Sequence, residues 1–257
     1  MLLQIVIEDE TTGNGSRTLV ERGYTADGVL ICDGTWSEQI VYAHLGQVWL
    51  DVHISGEPVA ACVENRGVNP IYIAISFVGK LKEFISGLND KPTASCFHGI
   101  DRANFVNIGK LDFGVWAGSV PAKARMLVQI GFSDVFQPDE VVEFARKIAI
   151  KCSERITVSE SLLKTPSFST NPGNPLITCL KARIERNSRK EVRVIPVTGH
   201  CDMRHFGTSE ICLYGPGGEK KCSFHQRALF PGSDAGGNKE YFRFCPRVVQ
   251  SMNNEPA

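Results

Sequence analysis

Leu2-Leu-Gln-Ile-Val-Ile7, followed at once by Glu8-Asp9-Glu10-Thr-Thr-Gly13-Asn-Gly15-Ser16, is the stretch on which the reading of the fold turns. A short apolar run of this kind fits a buried strand of an α/β sheet, and ligands in such sheets sit beyond the carboxyl ends of the strands. Glu8, Asp9 and Glu10 stand at that end. Successive side chains point to different faces, so neighbouring acids can take separate tasks, one holding a cation and the next moving a proton. A solvated acidic turn that simply ends the strand accounts for the same triplet. Gly13-Asn14-Gly15 imitates the opening of a dinucleotide fingerprint, but its third glycine would fall on Thr18, and three acids before the turn would repel a pyrophosphate.

A short helix over residues 16–22 then leads to a second apolar run, Gly28-Val-Leu-Ile-Cys32, which ends at Asp33-Gly34. If this run and the first are neighbours in a parallel sheet, Glu10 and Asp33 converge on one cation. Asp33 serves equally well as a turn-former before Gly34.

From Leu45 the pattern changes. Val48, Leu50, Val52 and Ile54 alternate with Trp49, Asp51 and His53, as in a strand with one wet face. Asn69-Pro70 offers an N-cap and a first-turn proline, and Ile71, Ile75, Val78, Leu81, Ile85 and Leu88 keep helical spacing. Two strands follow over residues 105–111 and 122–130, then a helix opened by Pro138-Asp139-Glu140 and a last strand over 155–159. Strand, helix, strand, strand, helix, strand is the order of a ferredoxin-like split βαβ sandwich of about a hundred residues. The reading therefore places this module at residues 45–158, inserted between residues 1–44 and 159–257 of an α/β domain.

After a Ser, Thr, Asn and Pro-rich connector at 165–175, Leu176, Leu180 and Ile184 mark a helix, and Val192, Val194 and Val197 a strand. His200, Cys201, Asp202 and His205 then have spacing open to two readings, a metal site or a polar cap. The run Ile211-Cys-Leu213 and the glycines of Tyr214-Gly-Pro-Gly217 close the patterned part of the chain.

Hydrophobic residues make up 42% of the chain and charged residues 22%, with zero formal net charge, so neither nucleic acid nor an anionic membrane is the expected ligand. No apolar run approaches the roughly 20 residues that span a bilayer, and Met1 leads into the first apolar run with no basic segment; the expectation is a cytoplasmic protein. Nine cysteines without a C-x-x-C pair suggest buried small hydrophobes rather than a zinc ribbon or a disulfide framework.

Taken jointly, Glu8-Asp-Glu-Thr-Thr-Gly-Asn-Gly15, Tyr24-Thr-Ala-Asp-Gly-Val-Leu-Ile-Cys-Asp33, Leu45-Gly46, Gly67-Val-Asn69, Ser119-Val-Pro121, Asp202-Met-Arg204 and Tyr214-Gly-Pro-Gly217 resemble the dinuclear zinc or cobalt amidohydrolases and metallopeptidases. That family includes acetylornithine deacetylase, succinyl-diaminopimelate desuccinylase, aminoacylase-1 and carboxypeptidase G, and the likeness is greatest to acetylornithine-deacetylase-like members. The resemblance implies a zinc-peptidase-like catalytic domain interrupted by a lid that forms a homodimer, and hydrolysis of a small N-acyl amino acid. It also implies Asp9 as general base, Glu10, Asp33 and His225 as metal ligands, and Gly118, Arg204 and Gly217 around the substrate.

The chain departs from that pattern in ways that bear on activity. It opens at the strand before the acidic pair, so the segment that in the family carries a first histidine ligand and a bridging aspartate has no counterpart. The lid histidine of the family falls on Ala60 and a lid arginine on Gln129. Two expectations result: a metal-dependent amide hydrolase, truncated or degenerate and inactive as this chain alone, or a non-catalytic relative that serves as a dimerisation or binding module.

Overall fold

The computed structural model describes residues 1–35, 37–90 and 96–217. In chain order the elements are α1 (Asn14–Glu21), β1 (Gly28–Ile31), β2 (Gln39–His44), β3 (Gly46–Ser55), α2 (Pro70–Asn89), β4 (Phe105–Phe113), β5 (Lys123–Phe132), α3 (Pro138–Cys152), β6 (Ile156–Thr165), β7 (Phe168–Ser169), α4 (Pro175–Ser188), β8 (Arg193–Val197) and β9 (Glu210–Leu213). Short 3-10 turns lie at Ala61–Arg66 and Asp202–His205. The chain forms two compact units, one of Leu45–Ser167 and one of the chain on either side of it.

In the first of these, alternation does what the sequence asks of it. Val48, Leu50, Val52 and Ile54 of β3 and Ala124, Met126, Val128 and Ile130 of β5 are all at most 1% exposed. They pack beneath Ala74, Phe77, Leu81 and Ile85 of α2 and Val141, Ala145 and Ala149 of α3. Both helices begin where local chemistry starts them. The Asn69 side chain accepts a 3.0 Å bond from the Ile71 N–H, and the Gln137 N–H donates to Glu140 Oε2 at 2.8 Å, each ahead of a first-turn proline. The sheet runs β4-β5-β3-β6 with every neighbour antiparallel, which is the ferredoxin-like arrangement. β6 continues to Thr165, beyond the 155–159 that patterning indicates. A register shift opposite Val48 to Leu50 breaks the alternation there, while Gln47 still pairs with Thr165.

The other unit is a five-stranded mixed sheet. β1 lies parallel to β9 and β2 parallel to β8, while β2 is antiparallel to β9 and β7. Leu176, Ile177, Leu180 and Ile184 of α4 pack on Ile40, Val192, Cys212 and Tyr214, and a second cluster holds Val41, Cys201, Met203, Phe206, Ile211 and Leu213. Asn174 caps α4 by accepting from the Ile177 N–H at 2.8 Å.

Two sequence expectations are corrected here. β2, the strand with most partners in its sheet, is absent from the sequence reading. Its apolar residues run almost directly into those of β3, with only Leu45 between the two strands and no turn residue to divide them. Conversely, residues 2–7 form no strand: Leu3, Ile5 and Ile7 are 73%, 89% and 73% exposed. An apolar run becomes a strand only with a hydrogen-bonded neighbour, and the ladder of β1 is formed with β9. No helix among the described residues is long and apolar enough to cross a membrane.

Candidate functional site

The acidic triplet folds as a tight turn rather than as a strand end. Glu8 takes a left-handed backbone conformation (φ 66°), and its carbonyl accepts from the N–H groups of Thr11 (3.1 Å) and Gly13 (2.9 Å). Its carboxylate accepts from Thr12 Oγ1 at 2.5 Å and Asn14 Nδ2 at 2.9 Å, and these bonds hold its pKa below the ordinary carboxylate value. Glu8 therefore builds the turn. Asp9, half-buried, and Glu10, exposed, are carried on it.

The turn rests against the 3-10 helix Asp202–His205. Arg204, whose side chain is 5% exposed, donates through Nη2 to the Thr12 carbonyl at 3.1 Å and through Nη1 to the Cys201 carbonyl at 2.5 Å. Asp202, also buried, accepts from Ser16 Oγ at 2.6 Å through Oδ2, while its Oδ1 lies 3.6 Å from Arg204 Nη2 and 3.8 Å from His205 Nε2. Asp202 Oδ1, His205 Nε2 and His200 Nε2 are buried and make no hydrogen bond among the described residues. Burial, then the Arg204 charge, pushes His205 below its ordinary pKa and His200 down to about 4. Both imidazoles are neutral at pH 7. Gly13 lies at the centre of the contact: φ is +66°, and Asp202 Oδ1, Arg204 Nη2 and His205 Nε2 all come within 2.6 Å of where a Cβ would stand.

Burial dominates the electrostatics of the segment from Cys201 to Arg204: it pushes the Cys201 thiol up to about 12 and Arg204 below its ordinary value, with smaller opposing or added effects from neighbouring charges that include Asp33 and Asp9. Asp33 follows β1, with Oδ1 accepting from the Gly34 N–H at 2.6 Å and its carbonyl close against Gly215. Thr35 ties this loop to the end of β9 through 3.1 Å bonds to and from Gly215. Gly217, two residues on, has φ +74°. Gly118 belongs to the other unit, where the Trp116 ring covers it; there too Gln129 Nε2 donates to Gln47 Oε1 at 2.8 Å, and Ala60 bridges Ser119. His225 lies outside the described residues.

Among the described residues no three His, Cys, Asp or Glu side chains are grouped to hold a metal ion. This corrects the metal reading of His200, Cys201, Asp202 and His205. They form the buried cap that the same spacing allowed, in which the Arg204 guanidinium sits beside Asp202 as a cation would. The described residues alone thus do not fit the implied zinc or cobalt. The contacts that Ser16, Thr12 and Gly13 make with residues 202–205 escape a sequence reading, because a hydroxyl in a first helical turn and a glycine in a loop look ordinary until Asp202 and Arg204 are beside them.

Residues 42–153 match the peptidase dimerisation domain family. No curated protein sequence matches the chain. Among solved structures, aminopeptidase PepT from Bacillus cereus is 19% identical with a TM-score of 0.60, the match covering 84% of this chain and 56% of that one. A tripeptidase from Staphylococcus aureus is 20% identical with a TM-score of 0.62, covering 82% and 54%. The dipeptidase Dug1p from Saccharomyces cerevisiae is 12% identical with a TM-score of 0.63, covering 81% and 57%. The chain therefore spans about half the length of the structures it resembles. At these identities the likeness is one of fold: a peptidase dimerisation domain set within an α/β unit of the kind found in these peptidases.

Proposed function

We propose that the chain is a degenerate, acetylornithine-deacetylase-like member of the metal-dependent amide hydrolases, a class that acts on small N-acyl amino acids, and that it dimerises through the Leu45–Ser167 unit. The observation that carries this reading is the seating of the acid-bearing turn on residues 202–204, through the Ser16–Asp202 and Arg204–Thr12 hydrogen bonds, in a chain whose middle matches a peptidase dimerisation domain. In it Asp9, a half-buried carboxylate on the turn, accepts the proton of the attacking water. Glu10, Asp33 and His225 are the proposed zinc or cobalt ligands, and Gly217 presents backbone to the substrate. Arg204 lies near the site with both Nη atoms engaged by carbonyls.

A second reading, a non-catalytic dimerisation or binding module, is favoured by one feature of the lid. Gln129 is uncharged and tied to Gln47, and Ala60 carries no donor, so a substrate carbonyl or carboxylate finds no charged partner at either position. For this chain alone we expect amide turnover below roughly one per second. Amine release from N-acetylornithine and other N-acyl amino acids, with zinc or cobalt added, decides between the readings. Metal-dependent release lost in both Asp9→Asn and Glu10→Ala supports the hydrolase, and saturable binding without release supports the second reading.

A further inference from the structure

We infer that Ser16, Asp202 and Arg204 are positioning residues that clasp the acidic turn, so that the place of Asp9 and Glu10 is set from a segment almost two hundred residues later in the chain. The inference rests on the proposed function for its purpose, but the clasp itself stands on geometry. Three links hold it. Ser16 Oγ donates to Asp202 Oδ2 at 2.6 Å, Arg204 Nη2 donates to the Thr12 carbonyl at 3.1 Å, and Gly13 admits Asp202, Arg204 and His205 against its bare Cα.

Arg204 is suited to this task rather than to holding a substrate carboxylate. Its guanidinium is buried, its Nη1 and Nη2 go to the carbonyls of Cys201 and Thr12, and its charge is balanced by Asp202 at 3.6 Å. Two carbonyls at the reach of one planar fork suit a guanidinium and not an ammonium. Asp202 is in turn oriented by the Ser16 hydroxyl, which leaves Oδ1 facing Arg204 and His205. The turn has its own internal bonds through Glu8, so what the clasp supplies is its location rather than its shape.

The test is amide hydrogen exchange on the full chain, followed by mass spectrometry, for the parent and for Gly13→Ala, Ser16→Ala, Ser16→Thr, Arg204→Gln and Arg204→Lys. The expected result is faster exchange over residues 9–14, by about tenfold for each link lost, what removal of one buried hydrogen bond to a charged group amounts to. Protection in β2, β8 and β9 should be unchanged, Ser16→Thr should restore the parent behaviour, and Arg204→Lys should not. Unchanged exchange over 9–14 in Ser16→Ala and Arg204→Gln would overturn the clasp. So would a uniform loss across the sheet, which marks a merely structural role. Because exchange is read without substrate, failure of the clasp is separable from failure of the hydrolase reading. If metal-dependent turnover is found, the clasp variants should lower kcat more than they raise KM.

Discussion

Ser16 and Asp202, 186 positions apart in sequence, share a buried 2.6 Å hydrogen bond. The bond joins the two stretches of chain that flank the Leu45–Ser167 unit and that together make one sheet. A contact of such sequence separation forms late unless something brings its ends together, since closing a long loop costs entropy before any contact compensates it. The parallel pairs β1 with β9 and β2 with β8 face the same demand.

The unit Leu45–Ser167 should fold and dimerise by itself. Its two ends are already neighbours, with Gln47 paired to Thr165, and its core is closed by its own two helices. β4 and β6 end the sheet, and a strand edge left open is readily paired with its twin. Light scattering on the isolated residues should give the mass of a dimer at tens of micromolar; a folded monomer would count against the interface, and an unfolded chain against the unit.

Phe77→Ala should destabilise the same unit by about 3–5 kcal/mol, because Phe77 is fully buried in the core that the sheet, α2 and α3 share and loss of the ring leaves a cavity. Urea denaturation of the isolated unit, with and without the substitution, measures this. Tyr72→Ala, on the exposed face of the same helix, should cost under about 1 kcal/mol by that measurement.

Acid should weaken the sheet unit through His200. A buried imidazole with a folded pKa of about 4 stays neutral while the unfolded chain, near 6.5, takes up a proton. The unfolded state therefore binds more protons between these values. Stability is fully present above about pH 6.5 and falls as the pH drops toward 4, by up to about 3 kcal/mol. Urea midpoints of the full chain at pH 7.5, 5.5 and 4.5 should fall in that order. His200→Gln should flatten part of the slope, and an identical slope in the variant would assign the effect elsewhere.

Zinc should bind the chain more weakly than about 1 µM, since a closed zinc site draws on four ligands and the described residues offer no group of three. Calorimetric titration gives the answer directly. Stoichiometric nanomolar binding abolished by Glu10→Ala would show that donors are completed from residues 218–257.

The inserted unit was legible because its strands are wet on one face and its helices carry explicit caps at Asn69 and Gln137, so periodicity and local chemistry agree. β2 was not, since a strand flanked on both edges shows a continuous apolar run, and this one merges with β3 through Leu45. Residues 2–7 misled for the opposite reason: the composition of a strand is there, but pairing is a property of the neighbour. At the site, Asp33 and Arg204 could be picked from motif order, whereas Ser16 and Gly13 could not, because their significance is a distance to residue 202 that no local window contains.

The exposed run of residues 2–7 gives the acidic turn a second physical consequence. Leu2, Leu3, Ile5 and Ile7 are solvent-facing, β-prone and uncharged, and β1, at the end of its sheet, has β9 as its neighbour on one side. A segment of that composition is a template for cross-β stacking between molecules, and proteins commonly restrain such segments with flanking charge. Glu8, Asp9 and Glu10 stand directly after it and place three negative charges against every added copy. The same acids are therefore expected to oppose such stacking, through a repulsion that high salt screens and low pH neutralises.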